Sequence, residues 1–532
     1  MAGIRFATDG MGAWWATAAA SVTFAGMLAT ASPAAAKDCA QLAGAALAEG
    51  KVTSATLVPA GGFELPPSPF GPPPGVAAAG FKGLPAFCRV QATLTPTSDS
   101  DIKVEVWLPA SGWNGKLVGI GNGVWAGSIS YFQLAEPLSR GYAVAATDTG
   151  HIGNGMSADF AVGHPEKLVD FGYRGVHDMT LAAKEVIRDF YGDGPRTSLW
   201  NSCSTGGRQG LMEAYRYPED YDAISAMAPA NPMTNLMTQS LWTGFQAVRT
   251  PGSRLSATKL AALHKAYVAQ CDAEDGLVDG LVSQPRSCRF DPAIAQCKAA
   301  DGPDCLTAEQ VQTMRAIYGG VRDPTTGKQL FPGFPPGSEL QLAVLISGPE
   351  PFPVATSYMR LLVFANQPGW NFRSFDYGPD AARARAFGAS MLDVPASGLG
   401  PFFARGGKLL LSHGWTDGLI PANNTVAFYE RLSSRLPAKE SQGQLRLFMV
   451  PGMNHCGGGE GPSSIDTLAA IDHWAAGGPA PDRLVATRPP GPQQPPMSRP
   501  LCPYPLAPRY KGQGSTDQEE NFACAAPNPG SR

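Results

Sequence analysis

Short stretches of the chain switch between the hydrophobic patterns of strands and of helices. Hydrophobic and polar residues alternate along residues 102–109, and the runs 116–120 and 142–146 are almost wholly apolar. Alternation predicts a strand with one exposed face, and a continuous apolar run predicts a strand buried on both faces. A helical pattern follows at 178–191, and another apolar strand follows at 197–200. Strand, helix and strand in succession predict a parallel α/β sheet.

The middle of the chain lacks this rhythm. Residues 231–398 contain four cysteines, a cluster of acidic residues and many aromatic residues. The α/β pattern returns with apolar strands at 408–412 and 445–450 and a helical pattern at 464–476. We therefore expect one α/β domain that is interrupted by an inserted lid. The predicted parts are a leader at 1–36, the first part of the α/β domain at 37–230, the lid at 231–398 and the second part of the α/β domain at 399–532.

The N-terminal segment has the features of a secretory signal peptide. Arg5 is followed by an uncharged stretch at 11–31, and the alanines at 34–36 form a cleavage site of the A-x-A type. The alternative is an N-terminal membrane anchor, because the uncharged stretch is long enough to span a bilayer. No later segment is as long and apolar as a membrane span, so we expect no stable membrane association after cleavage.

Composition and charge narrow the classes of function. Hydrophobic residues make up 44% of the chain and charged residues 16%, which is too apolar for a disordered protein. The 41 basic and 44 acidic residues give a net charge of -3. Binding to a phosphate backbone needs a basic surface that this chain lacks, so we expect no nucleic-acid partner. A globular enzyme or binding protein is favoured.

All ten cysteines lie beyond the predicted cleavage site. An even number in an exported chain predicts five disulfides and an oxidising compartment, either periplasmic or extracellular. The sequence alone does not determine how ten cysteines pair, so other pairings stay open. Proximity along the chain favours the pairs Cys39–Cys88, Cys271–Cys288, Cys297–Cys305 and Cys502–Cys524, and leaves Cys203 with Cys456.

Ser204 lies in a predicted turn between the apolar strand at 197–200 and a helix. The small residues Gly206 and Gly207 come shortly after it. A serine on such a strained turn is held exposed above the sheet, where it can act as a nucleophile. The pattern departs from G-x-S-x-G, because Ser202 stands where the first glycine would be. The alternative is a glycine-rich helix N-terminus with a capping serine.

Asp417 and His455 are candidate partners for this serine. Each comes after an apolar strand, and the order Ser204, Asp417, His455 is that of an α/β-hydrolase triad. Because parallel strands end at one edge of a sheet, the three side chains should lie close together. A bond between Cys203 and Cys456 would also hold the serine and the histidine side by side. We therefore predict a Ser-His-Asp triad.

Four segments resemble the CS-D-HC pattern of the tannase and feruloyl esterase family: 203–209, 417–421, 454–456 and the C-terminal stretch 499–524. The likeness covers essentially the whole mature chain. It implies an α/β-hydrolase fold with a large lid that binds the aromatic acid part of an ester. The expected activity is that of an exported serine carboxylesterase acting on esters of hydroxycinnamic, gallic or similar acids. A hydrolase of the mono(2-hydroxyethyl) terephthalate type is the alternative within the family.

The acidic cluster at 271–281 has two interpretations. Its composition alone favours a solvated turn, because the spacing is not that of an EF-hand loop. The resemblance instead implies a structural Ca²⁺ site in the lid. The ligands that it implies are three carboxylates and two backbone carbonyls: Asp272, Asp275 and Asp279, with Leu277 and Leu281.

An oxyanion hole requires backbone N–H groups near Ser204. Thr205 is the expected first donor, because it directly follows the serine in the turn. The glycine-rich loop at 119–124 could provide the second donor, and Gly123 is the predicted residue. The alternative for this loop is an ordinary turn at the end of a strand.

Arg360 and Phe364 are candidate substrate contacts on a helix predicted at 357–366. Residues four apart share one face of a helix, and an Arg with an aromatic ring suits an aromatic carboxylate. The resemblance supports this pair, although Ala365 stands where a terephthalate-ester hydrolase of the family has a serine. The alternative is a surface Arg above a core Phe.

The other histidines carry no motif. His413 lies near the predicted site, and a structural role is expected for His151, His164, His177, His264 and His473. Two rival functions remain at this stage. One is a serine peptidase of the same fold, and the other is a disulfide-rich binding module with a vestigial site.

Overall fold

The described residues form a ten-stranded sheet at the centre of the fold, and six of its strands run parallel. The computed structural model describes residues 37–67, 80–491 and 495–526, so the predicted leader at 1–36 lies outside the described residues. The strands are β1 (Ala46–Leu47), β2 (Gly50–Val58), β3 (Phe87–Leu94), β4 (Ile102–Pro109), β5 (Lys116–Gly119), β6 (Ala143–Thr147), β7 (Thr197–Cys203), β8 (Ala223–Met227), β9 (Val321–Arg322), β10 (Gln329–Phe331), β11 (Lys408–Gly414), β12 (Leu445–Val450), β13 (Ser464–Ile465), β14 (Leu484–Arg488), β15 (Met497–Leu501), β16 (Ala507–Tyr510) and β17 (Phe522–Ala525).

The order of strands in the large sheet is β1-β2-β3-β4-β6-β5-β7-β8-β11-β12. The pairs from β1 to β4, and β4 with β6, are antiparallel, and all neighbours from β6 to β12 are parallel. In register, Leu199 of β7 lies beside Ala223 of β8, and Leu409 of β11 lies beside both Ile224 and Leu445. The C-terminal ends of β7, β11 and β12 therefore share one edge of the sheet.

Helices cover both faces of the sheet. The helices are α1 (Tyr131–Ser139), α2 (Pro165–Val169), α3 (Gly175–Tyr191), α4 (Thr205–Arg216), α5 (Met233–Val248), α6 (Ala257–Cys271), α7 (Ala308–Gly319), α8 (Glu339–Ile346), α9 (Pro353–Ser357), α10 (Pro379–Leu392), α11 (Gly400–Ala404), α12 (Ala422–Ser433), α13 (Ala438–Gln444) and α14 (Thr467–Ala475). Leu409 and Leu411 of β11 belong to a core shared with α3, α4 and α12, whereas Leu410 belongs to the opposite core with α1 and α14. This burial on both faces explains the run of three leucines in the strand.

One strand prediction is wrong in its exposure. The alternating pattern at 102–109 predicts a half-exposed strand, but in β4 every residue except Lys103 is buried. The polar residue Glu105 is buried because Arg89 and Trp107 donate hydrogen bonds to its carboxylate, each at 2.9 Å. Pairing of this kind allows a charged group to be buried at a position that looks solvent-facing in the sequence.

The segment 231–398 adds helices α5 to α10 and the small β9–β10 pair. Among the described residues, none of its strands joins the ten-stranded sheet. The helix predicted at 357–366 is confirmed only in part, because the chain is helical no further than Val363 and is not an α-helix after Ser357. Helix α9 ends at Ser357 and the chain continues as a wider π-helical turn, Tyr358–Val363, in which the N–H of Phe364 donates to the carbonyl of Met359 five residues back.

Five disulfides join the ten cysteines, and the predicted pairs are confirmed, both the four that proximity favours and the remaining one: Cys39–Cys88, Cys271–Cys288, Cys297–Cys305, Cys502–Cys524 and Cys203–Cys456. Four of these bonds close loops of at most 49 positions, whereas Cys203–Cys456 spans 253 positions. Within the described ranges, no helix has both the length and the apolar character needed to cross a membrane.

Candidate active site

Ser204 occupies the turn between β7 and α4 in a strained backbone conformation. Its φ of 64° and ψ of -124° are unfavourable for a residue with a side chain. The N–H of Ser204 donates to Met227 O at 2.9 Å and ties the turn to β8. A Cβ atom on Gly206 would lie 2.0 Å from Ser202 Oγ, and one on Gly207 would lie 2.7 Å from Met227 O. The two glycines are therefore needed for the tight approach of α4 to the sheet.

The structure brings Ser204, His455 and Asp417 together. His455 Nε2 lies 2.9 Å from Ser204 Oγ, and His455 Nδ1 lies 2.7 Å from Asp417 Oδ2. The Asp417 carboxylate is fully buried, whereas the His455 side chain is 11% exposed and Ser204 is half-buried. A hydroxyl, a base and an orienting carboxylate in this chain of hydrogen bonds have the geometry of an activated serine nucleophile.

Four groups hold the Asp417 carboxylate. Its Oδ1 accepts hydrogen bonds from the N–H groups of Leu419 and Ile420, at 2.8 and 2.9 Å, and its Oδ2 contacts both His413 and His455. Burial alone would raise the pKa of Asp417, but the charge of His455 and the hydrogen bonds from His413 and His455 outweigh it and hold that pKa well below its usual value. The carboxylate therefore stays ionised across the physiological range of pH.

His413, which the sequence places only near the predicted site, contacts the Asp417 carboxylate directly. The side chain is fully buried, and its Nε2 lies 2.9 Å from Asp417 Oδ2 and 3.1 Å from Ile420 O. Because both neighbours of Nε2 are acceptors, the proton belongs on Nε2, and Nδ1 accepts from the Thr425 hydroxyl at 2.8 Å. In the sequence, only the position of His413 four residues before Asp417 points to this contact, since no motif marks the histidine.

The loop after β5 packs against the turn that carries Ser204. Gly206 N–H donates to Asn122 O at 2.8 Å, and the Thr205 hydroxyl donates to Val124 O at 2.7 Å. Among the described residues, the N–H groups of Thr205 and Gly123 have no hydrogen-bond partner. The loop at 119–124 thus adjoins the candidate nucleophile. The two N–H groups of the predicted oxyanion hole, one in the turn and one in this loop, are free to bind an acceptor.

In the acidic cluster of the inserted segment, two carboxylates accept hydrogen bonds from backbone N–H groups eight residues further along the chain. Asp272 Oδ2 accepts from Gly280 N–H at 2.9 Å, and Asp275 Oδ2 accepts from Ser283 N–H at 2.8 Å. Asp272 is 5% exposed, and its Oδ1 has no hydrogen-bond partner among the described residues. Asp279 is paired with the guanidinium of Arg499. Carboxylate oxygens are the ligands that Ca²⁺ prefers, and Asp272 Oδ1 is available to one. Within the described part of the chain, however, the three carboxylates do not all lie within 4.8 Å of one another.

Arg360 and Phe364, the predicted substrate contacts, differ in exposure. Arg360 is half-exposed and lies 3.5 Å from Glu350. Phe364 is 2% exposed and stacks on Trp370, with ring centroids 5.5 Å apart. The π-helical turn and the burial of Phe364 give the two side chains different surroundings.

His264 has more partners than its lack of a motif suggests. The ring is buried between two carboxylates, with Nδ1 2.9 Å from Glu339 Oε2 and Nε2 2.7 Å from Glu460 Oε2. Burial alone would lower the pKa of His264, but hydrogen bonds to Glu339 and Glu460 raise it to about 9. The imidazolium therefore stays charged at neutral pH and links helix α8 to the loop that carries His455.

The remaining histidines lie apart from the triad contacts. His151 stacks on Phe160 with ring centroids 3.6 Å apart, and desolvation lowers its pKa to about 4. His177 stacks on Tyr217 and bonds to Asp220. His164 pairs with Asp99 at 2.5 Å, and His473 is exposed on α14.

The chain is similar to several known esterases over most of its length. The sequence model described as tannase and feruloyl esterase matches residues 88–525. A probable feruloyl esterase B-2 of Aspergillus terreus is 33% identical, over 82% of this chain and 86% of its own. The mono(2-hydroxyethyl) terephthalate hydrolase of Piscinibacter sakaiensis is also 33% identical, over 85% of this chain and 87% of its own. The crystal structure of feruloyl esterase B from Aspergillus oryzae superimposes with a TM-score of 0.83 at 29% identity, covering 92% of this chain and 99% of the other.

Proposed function

The chain belongs to the tannase and feruloyl esterase family, a family of carboxylic ester hydrolases with the α/β-hydrolase fold, and we propose that it is an exported serine esterase for aromatic acid esters. The single observation that carries the serine mechanism is the continuous chain of hydrogen bonds from Ser204 through His455 to Asp417.

The proposed reaction runs through an acyl-enzyme. Ser204 Oγ attacks the ester carbonyl while His455 Nε2 takes the hydroxyl proton. The N–H groups of Thr205 and Gly123 donate to the oxyanion of the tetrahedral intermediate. The C–O bond to the alcohol then breaks, and the protonated His455 gives its proton to the leaving oxygen. In the second half of the reaction, His455 takes a proton from a water molecule, which attacks the acyl carbonyl. The bond to Ser204 Oγ then breaks, His455 gives the proton to Ser204, and the acid is released.

Asp417 has two proposed tasks in this cycle. Its bond to His455 Nδ1 selects the tautomer that leaves Nε2 free to accept a proton, and its charge stabilises the imidazolium that then forms. The depressed pKa of Asp417 supports both tasks, because the burial of this carboxyl by itself favours the neutral form. His413 supplies a further hydrogen bond that keeps the buried carboxylate charged.

The aromatic part of the substrate is assigned to the inserted segment 231–398, acting as a lid. Support comes from its aromatic side chains, among which Phe364 contacts both Trp370 and Phe375. The predicted role of Arg360 as the partner of a substrate carboxylate would require a rotamer that leaves Glu350. A terephthalate-type substrate is the second candidate, because a hydrolase of that ester is among the relatives.

A structural calcium ion in the lid is part of the proposal. Asp272, Asp275 and Asp279 would hold it through carboxylates, and Leu277 and Leu281 would hold it through backbone carbonyls. The ion would supply charge neutralisation and no step of the chemistry. Export through the predicted signal peptide is supported by the five disulfides, which persist in an oxidising compartment.

A substrate panel tests the proposal. The purified mature chain is assayed with methyl ferulate, propyl gallate, mono(2-hydroxyethyl) terephthalate and a chromogenic peptide, beside the Ser204→Ala variant. We expect ester cleavage in the wild type, its loss in the variant, and no peptide cleavage. Cleavage of the peptide alone would favour the peptidase, and failure to cleave any ester would overturn the proposed function.

A further inference from the structure

Helix α8, which belongs to the inserted segment, packs directly on the turn that follows Asp417. A Cβ atom on Gly418 would lie 2.4 Å from the backbone nitrogen of Leu342 and 2.6 Å from the carbonyl carbon of Gln341. Only a glycine permits this approach, because the atoms it meets are backbone atoms that have no rotamer to change. The first turn of α8 therefore lies against the backbone of the carboxylate loop.

Gln341 of this helix connects the loops of two triad residues. Its Oε1 accepts a hydrogen bond from Gly418 N–H at 2.9 Å and another from His455 N–H, also at 2.9 Å. An amide oxygen has two lone pairs, so both are used. One side-chain atom of the inserted segment thus holds the backbone of the Asp417 loop and that of the His455 loop at a fixed separation.

The helix that carries Gln341 is itself anchored to the histidine loop. Glu339, the first residue of α8, is fully buried and accepts hydrogen bonds from Gly337 N–H and the Tyr318 hydroxyl. Its carboxylate also contacts His264, whose second nitrogen contacts Glu460 in the loop after His455. A shift of α8 relative to this loop would break the bridge between the two carboxylates, so Gln341 has a rigid support.

We infer that Gln341 is a positioning residue of the triad, through which the inserted segment sets the distance between Asp417 and His455. This inference rests on the proposed function. His455 must keep Nδ1 on Asp417 and Nε2 on Ser204 at the same time, and both contacts depend on where its backbone lies. Loss of the shared acceptor leaves two N–H groups without a partner, so Gly418 and His455 can shift relative to each other even though Thr416 still bonds to Met453 and Asn454. A misplacement of about 1 Å in a catalytic group lowers the rate about 100-fold.

Three substitutions of Gln341 distinguish the effect of its acceptor oxygen from the effect of its side-chain size. Gln341→Leu keeps the size and removes the acceptor, Gln341→Asn keeps the amide and withdraws it by one methylene, and Gln341→Glu keeps an oxygen in place. Val344→Ala, at an exposed position of the same helix, is the matched control. The measurements are kcat and KM on the best ester of the panel, the melting temperature, and the rate at which a fluorophosphonate labels Ser204.

We expect Gln341→Leu and Gln341→Asn to lower kcat and the labelling rate about 10- to 100-fold with little change in KM. Gln341→Glu should recover most of both rates, and Val344→Ala should match the wild type. Should Gln341→Leu fail to fold, the comparison of Gln341→Asn with Gln341→Glu tests the same point. Wild-type rates in the variants without the acceptor, or equal losses in Gln341→Glu, would overturn the inference. A wild-type protein that is neither labelled nor active on esters would instead overturn the proposed function, and the inference with it.

Discussion

Cys203 and Cys456 are joined by a disulfide that holds their Cα atoms 5.9 Å apart. Cys203 directly precedes Ser204, and Cys456 directly follows His455. The bond therefore ties the turn after β7 to the loop after β12 at the place where His455 Nε2 reaches Ser204 Oγ. A covalent link beside both groups restricts their separation more tightly than side-chain packing does.

Replacement of both Cys203 and Cys456 by serine should lower kcat under conditions in which the secondary structure is still that of the wild type. The bond closes a loop of 253 positions, so its loss should also cost about 5.5 kcal/mol of unfolding free energy in the chain-entropy model. Steady-state kinetics and circular dichroism measure the two effects. The matched control is the double replacement of Cys502 and Cys524, which should lower stability and leave kcat unchanged. Non-reducing peptide maps that show a free thiol at Cys203 or Cys456 in the wild type would contradict the prediction.

Ser204→Ala should abolish ester cleavage while leaving the fold intact. The remaining groups lack a nucleophile, and the loss for one member of such a unit is on the order of 10⁴-fold or more. Initial rates on the preferred ester and the melting temperature are the measurements. If the variant keeps about a tenth of the wild-type rate, far above the expected residual, Ser204 is not the nucleophile.

The positions of Ser204, Asp417 and His455 could be predicted because each comes after an apolar strand. Strands buried on both faces are recognisable in sequence, and parallel strands bring the residues after their C-terminal ends to one edge of the sheet. Chain order and strand pattern together therefore bring three residues close in space, although they lie as far apart as 251 positions.

Gln341 and the Arg360–Phe364 pair could not be predicted in this way. Gln341 acts through one side-chain oxygen on two backbone N–H groups from distant loops, and no periodic pattern in the inserted segment signals such a contact. The spacing of Arg360 and Phe364 implies one helix face, but the chain adopts a π-helical turn there and buries the Phe. Packing in the tertiary structure determines both outcomes.

His264 should make the stability of the protein fall as pH rises from about 6.5 to about 9. The folded-state pKa, raised to about 9, lies above the unfolded value of 6.5, so the contribution is complete below 6.5 and is lost through this window. Chemical denaturation at several pH values gives the slope. His264→Gln should flatten this dependence, whereas His473→Gln, at an exposed position, should keep it. Equal slopes in the wild type and His264→Gln would show that the bridge to Glu339 and Glu460 carries no linked proton.

Chelation should lower the melting temperature without removing a catalytic group. If one Ca²⁺ binds at Asp272, Asp275 and Asp279, free ion at 100 times its dissociation constant stabilises the fold by about 2.7 kcal/mol. Asp275→Asn should weaken the difference between calcium and EDTA in calorimetry, whereas Asp482→Asn, which removes an exposed carboxylate elsewhere, should leave it unchanged. Ser204 should still be labelled by a fluorophosphonate in EDTA, because the ion takes no part in the chemistry. The same melting temperature in EDTA and in excess Ca²⁺, together with no calcium in elemental analysis, would mean that Arg499 and the backbone N–H groups alone balance this acidic turn.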